Sequence, residues 1–282
     1  MTDGTRDDDG AETGRHATDW AVLTTVARFE GRKRLRVTGV IAVVLALFGA
    51  LYLWVGPQMT DAGVSEMIDA MPPIVTELFN FESLSSIEGL LASEFYTLGW
   101  MVGVGGYVAY TAAGSVAGDF GEGRLDTLLA GPITRRSVLM GTYLALFVPI
   151  VALTVAVPTA LAGVSFLLGA SLAIGDLIVL HALSVAYLAC WASIGLFVGV
   201  VVRRGRTAGR VALGAVLAAW LFESMIATTE YDWLGSLSPM RYLDPPGVLV
   251  DGQVDLVGAG ILLVVGAVAL ALALVRFQRE DL

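Results

Sequence analysis

"VLMGTYLALFVPIVALTVAVPTALAGVSFLLGA", residues 138–170, is an unbroken apolar run of 33 residues with prolines at 149 and 158. A helix crosses the ~30 Å hydrocarbon core of a bilayer in about 20 residues, so the run is too long for one upright crossing and too short for two with a turn between them. Its reading decides whether the chain crosses a membrane six times or seven. The run itself does not say, and the basic residues around it do.

Five further apolar stretches have the length of a crossing: Val37–Val55, Tyr96–Ala117, Leu177–Val202, Val211–Thr228 and Leu256–Val275, with Val138–Ala160 as the third of six. With six crossings and both termini on one side, every basic residue except Arg241 falls on that side, among them Arg32–Arg36, Arg135, Arg136, Arg203–Arg210, Arg276 and Arg279. A seventh crossing would carry Arg203–Arg210 and the C-terminus to the opposite face, against the bias of Lys and Arg toward the cytoplasm. The sequence therefore predicts an all-α membrane protein of six transmembrane helices with N- and C-termini cytoplasmic. Hydrophobic residues make up 56% of its 282 residues and the mean hydropathy is +0.75, which excludes an ordinary soluble domain.

The ends and loops follow from that frame. Residues 1–18 are acidic and nearly free of large apolar side chains, which predicts a disordered tail without a signal-peptide core, ahead of one domain over 19–282. Asp19–Arg36 places Trp20, Leu23, Val26 and Ala27 on one face behind Asp19 as N-cap, the pattern of an interfacial helix at the cytoplasmic surface, and Arg32–Arg36 anchors the first crossing. The outer segment Gly56–Ser93 holds six acids and no base, with Met67, Ile68, Met71, Ile74, Leu78 and Phe79 at helical spacing. The second outer segment, residues 230–255, mixes aromatics, prolines and acids as an interfacial or partly re-entrant element does. Each also reads as a plain linker. Trp54, Trp100 and Trp220 fall near expected interfaces.

A net charge of −9 with a single lysine, Lys33, matches the acidic surfaces of proteins that work in very high salt, and equally an acidic protein from a GC-rich genome. It gives no basic footprint for nucleic acid.

Catalytic chemistry has little to stand on. Cys190 is the only cysteine, and His16 and His181 are the only histidines, which leaves no expected metal site. No G-x-S-x-G or H-E-x-x-H occurs. A phosphate-binding loop needs G-x-x-x-x-G-K-[ST], and Lys33 stands between two arginines. The chain is expected to be no enzyme and to bind no cofactor. Within the crossings Glu223 is the one clearly placed ionisable group. It either lines a pathway or subunit contact, or is protonated and hydrogen-bonded to a neighbouring helix. Gly114-x-x-x-Gly118 and Gly195-x-x-x-Gly199 have the spacing that lets helix backbones approach closely.

One stretch remains. "GEGRLDTLLAGPITRR", residues 121–136, puts Leu125, Leu128 and Leu129 on one helical face with Glu122, Arg124 and Asp126 around it, before Gly131–Pro132 ends the helix. A short amphipathic helix between the second and third crossings suits docking in a groove of a soluble partner, or merely caps a helical hairpin. From Glu122 through Arg135 it resembles the signature of the ABC type 2 (ABC-2) transporter permease family: an acidic residue, Gly, Leu-x-x-Leu-Leu, then Pro, an aliphatic residue, Ser or Thr, and Arg. Arg124 stands where the family commonly has Thr or Ser, and Thr142 where a lysine is common. The six crossings and "LSPMRYLDPP" before the last of them extend the resemblance to nearly everything after residue 18.

That resemblance implies the membrane subunit of an ATP-driven exporter in the cell membrane, without an ATPase site of its own. ATP-Mg would sit on a separate ATP-binding subunit, and a second permease copy or paralogue would complete the unit. Glu122, Gly123, Leu125, Leu128 and Leu129 would form the coupling helix to the ATPase, with Pro132 and Arg135 shaping the return into the membrane. Two other readings of the residues stand beside it: a membrane-anchored assembly or regulatory protein that binds a cytoplasmic partner, and an ion-coupled carrier, for which ionisable groups in the crossings are scarce.

Overall fold

The computed structural model describes residues 8–61, 86–121, 134–170, 172–227 and 229–279. Among these the chain is helical, in the order α1 (Asp8–Asp61), α2 (Ile87–Leu90), a π-helix (Leu91–Val104), α3 (Gly105–Gly121), α4 (Arg135–Leu168), α5 (Ile174–Val202) and α6 (Gly205–Ile226). Two 3₁₀ turns (Asp232–Leu237 and Pro239–Tyr242), α7 (Pro245–Leu249) and α8 (Leu256–Gln278) complete it.

Among the described residues five segments are long and apolar enough to cross a membrane: Arg34–Gln58, Arg135–Leu168, Ile174–Val202, Gly205–Ile226 and Leu256–Gln278. They match the first, third, fourth, fifth and sixth expected crossings. The second, Tyr96–Ala117, falls instead on a helix that changes pitch at Gly105. In its π part the Gly105 amide donates to the Trp100 carbonyl five residues back, and Thr97 Oγ1 donates to Ala92 O at 3.1 Å, also five back. The wider register has a packing consequence. Leu91, Phe95, Tyr96, Trp100 and Val104 share one buried face, while Leu98, on the same face in α-helical spacing, is exposed.

The ambiguous run is a single helix. Thr134 caps α4, its side chain accepting from the Ser137 amide at 3.2 Å, and Gly169 ends it at φ 68°, a left-handed conformation that suits a residue without a β-carbon. Pro149 and Pro158 lie inside it. Proline removes a hydrogen bond without breaking a helix that neighbours enclose, and both prolines are wholly or mostly covered. At ~1.5 Å per residue α4 is about 51 Å long, more than the hydrocarbon core is thick.

α1 corrects the reading of the N-terminal region. One continuous helix runs from Asp8 through the expected interfacial segment into the first crossing, so Asp19 lies inside the helix and is not its N-cap. No proline or paired glycine breaks the chain between them, and the run of Arg, Lys and Leu over residues 32–36 favours helix. Within that run Arg32 and Arg36 are exposed while Arg34 is buried, its Nη2 donating to Ser115 Oγ on α3 at 2.7 Å. Farther along α1, a β-carbon at Gly49 would sit 2.3 Å from Leu161 Cδ2, which shows how closely α1 and α4 pack.

α5 is the centre of the bundle: 67% of its apolar window is buried, against 17–39% for the other four crossings. The Gly195-x-x-x-Gly199 pair makes its closest contact, where added β-carbons would lie 2.5 Å from Ala109 O and 2.6 Å from Ala113 O of α3. Gly114 and Gly118 face Gly205 at the start of α6. Both small-residue pairs therefore serve close backbone contact within one chain.

Candidate functional site

Three places bear on function. The first is the end of the bundle where α3 stops at Gly121 and α4 begins after Thr134. Glu122, Gly123, Leu125, Leu128, Leu129 and Pro132 lie outside the described residues. Arg135 is described and occupies the first turn of α4. Gly205 packs on Gly118, and Arg34 reaches Ser115, so Arg34, Arg135, Arg203, Arg204 and Arg206 share the end of the bundle from which the 122–133 segment springs. Arg203 closes α5 at φ 53°, uncommon for a residue with a β-carbon, and its amide donates to Gly199 O at 3.2 Å.

The second place is at the opposite end. Glu223, in the last turn of α6, lies with Oε1 3.6 Å from Arg241 Nη1. Arg241 Nη2 donates to Asp232 Oδ2 at 2.5 Å, and Nη1 donates to the Asp232 main-chain carbonyl at 2.5 Å. Gly235 sits against this group; a β-carbon there would meet Arg241 Nη1 at 2.2 Å and the Glu223 carboxylate at 2.8–2.9 Å. The hydrogen bond from Arg241 holds the Asp232 carboxyl below the usual aspartate range and raises the Arg241 guanidinium further. Glu223 thus has an intramolecular cationic partner. Sequence reading missed it because Arg241 stands eighteen residues further on, beyond the chain turn.

The third place was not singled out in the sequence. His181 on α5 is 3% exposed and packs edge to face with Trp100 (centroids 4.7 Å) and Tyr96 (5.5 Å) of the π-helix, both fully buried. Trp100, expected at an interface, is inside the bundle. His181 Nδ1 lies 2.8 Å from Leu177 O, while Nε2, Tyr96 Oη and Trp100 Nε1 have no hydrogen-bond partner among the described residues. Next along α5, Tyr187 Oη donates to Met101 O at 3.1 Å and contacts Met240 Sδ at 3.0 Å. Met240 belongs to the second 3₁₀ turn, which with α7 packs onto α5; α7 also packs onto the π-helix. Within the 230–255 segment, read as interfacial or re-entrant, Pro239–Leu249 is the part that packs as a roof on α5, and through α7 on the π-helix. A signal existed: His181, Ser184, Tyr187 and Trp191 make a polar and aromatic stripe at spacings of three and four along one apolar helix.

The sequence matches a family model described as ABC-2 family transporter protein over residues 24–282. No curated protein matches it.

Proposed function

Because the chain belongs to the ABC-2 transporter family, whose members are membrane transport components, we propose that it is the permease subunit of an ATP-driven exporter energised by a separate ATP-binding subunit. The observation that carries this reading is the extent of the family match, which takes in every helix of the bundle from within α1 to the C-terminus. The π-helix with α3 supplies the second of six crossings on this reading, and the arginine-bearing end of the bundle faces the cytoplasm of a cell membrane. The only lysine lacks the neighbours of a phosphate-binding loop, so ATP-Mg belongs to the partner.

The coupling role proposed for residues 122–135 is supported by their resemblance to the family signature and by their place in the chain between α3 and α4. On this reading residues 122–130, between α3 and α4 in the chain, carry the contact with the ATPase, with Leu125, Leu128 and Leu129 supplying its apolar face and Glu122 fixing register. Pro132 and Arg135 turn the chain back into α4. Movement of the ATPase is passed to α3 and α4 together, and through the close α3–α5 contact at Ala109, Ala113, Gly195 and Gly199 to the centre of the bundle. A second permease copy or paralogue completes the transport unit.

The test is gentle extraction of the tagged chain at the salt concentration of its native cytoplasm and mass spectrometry of what co-purifies. Recovery of a P-loop ATPase in about equal amount is the expected result. Repeated recovery without an ATPase would turn the reading to a membrane-anchored assembly protein.

A further inference from the structure

The three unpartnered groups around His181 have a definite hydrogen-bonding character. A carbonyl only accepts, so the contact with Leu177 O puts the ring proton on Nδ1 and leaves Nε2 of the neutral ring as a lone-pair acceptor. Trp100 Nε1–H only donates, and Tyr96 Oη does either. Tyr96 and Trp100 lie 6.4 Å apart by ring centroid, and each packs on His181. Three buried polar atoms without partners in one cluster are costly in a protein interior, and each calls for a reason.

We propose that Tyr96, Trp100 and His181 form a binding site for the hydroxyl group of a neutral amphiphile, reached when the roof of Pro239–Leu249 shifts. A hydroxyl donates and accepts, which answers both Nε2 and the indole N–H. A carboxylate or phosphate only accepts and leaves Nε2 unanswered, while an ammonium only donates and leaves Trp100 unanswered. Either would also bring a charge into an apolar core. The apolar body of the ligand suits the surrounding aromatic and aliphatic packing. Water has the same hydrogen-bonding character and is the competing occupant. As a contact for cargo this site rests on the permease reading; as a binding site it does not.

The experiment uses the two-histidine composition of the chain. The full-length protein, labelled with ¹⁵N-histidine and placed in lipid nanodiscs, is titrated with 1-hexanol and, separately, with n-hexane, with His16→Gln used to assign the His181 signals. The expected result is a saturable shift of the His181 Nε2 resonance with hexanol alone. Trp100→Phe should raise the half-saturating concentration about fivefold, the effect of one lost neutral hydrogen bond. If that variant does not fold, Tyr96→Phe is read the same way. An equal response to hexane, no saturable response, or an Nε2 already hydrogen-bonded before any probe is added, as a resident water would make it, overturns the proposal. No ATP or ATPase is present, so failure here leaves the exporter reading standing, and absence of an ATPase leaves this one.

Discussion

Arg241 holds Asp232 by two routes, its Nη2 on the carboxylate and its Nη1 on the main-chain carbonyl of the same residue, each at 2.5 Å. This closes the loop from residue 232 to 241 and sets its guanidinium beside Glu223 at the end of α6. The pairing predicts pH dependence. The folded-state pKa of Asp232 is depressed by its hydrogen bond from Arg241, so its contribution is present above the usual aspartate range and is lost as pH falls through the lower folded value. Arg241→Ala should speed proteolysis within 230–255 at neutral pH, and the difference from the parent should shrink as the pH is taken down below the usual aspartate range. A difference that persists unchanged in acid would show that Arg241 acts through packing alone.

The contact between α3 and α5 predicts a contrast between two glycine substitutions. At Gly199 a β-carbon meets Ala113 O at 2.6 Å and Ala113 Cα at 3.0 Å, backbone atoms that no rotamer change can move. Gly199→Ala should destabilise by roughly 1–3 kcal/mol from overpacking. That exceeds the gain of up to about 1 kcal/mol in helix propensity. Gly214→Ala, with nothing within 4 Å, should be neutral or stabilising by about that propensity. Thermal unfolding of both variants in one detergent measures the contrast, and equal effects would refute the close contact.

Tyr187 ties the roof to the bundle through Met101 O and Met240 Sδ. Tyr187→Phe keeps the ring and removes the donor, which should cost about 1 kcal/mol of stability. Hydrogen exchange should rise in Pro239–Leu249 while the α1–α4 pair stays protected. A rise spread evenly over all helices would count against a local tie.

The docking role proposed for residues 122–130 is tested by replacing Leu125, Leu128 and Leu129 with Asp. The protein should still insert, because no crossing is altered, and should lose the co-purifying ATPase. Burying one such charge without a partner costs at least about 2 kcal/mol, so the dissociation constant for the ATPase should rise at least about 30-fold. Retention of the ATPase would show that coupling runs elsewhere.

What the sequence determined by itself was the set of apolar stretches and the family, because both are written in composition and local spacing. Hydrophobic length and the sidedness of Arg and Lys act segment by segment, and Gly195-x-x-x-Gly199 declares a close contact without naming what it contacts. The tertiary structure alone decided that Ala109 and Ala113 fill that contact, that Arg34 turns inward to Ser115, and that Arg241 meets Glu223 and Asp232. It also decided that Trp100, expected at an interface, is buried with Tyr96 against His181 of α5. A change of helical pitch leaves little trace in periodicity, and partners separated by tens of residues leave none. Those placements come from packing, where distant segments compete for the same volume.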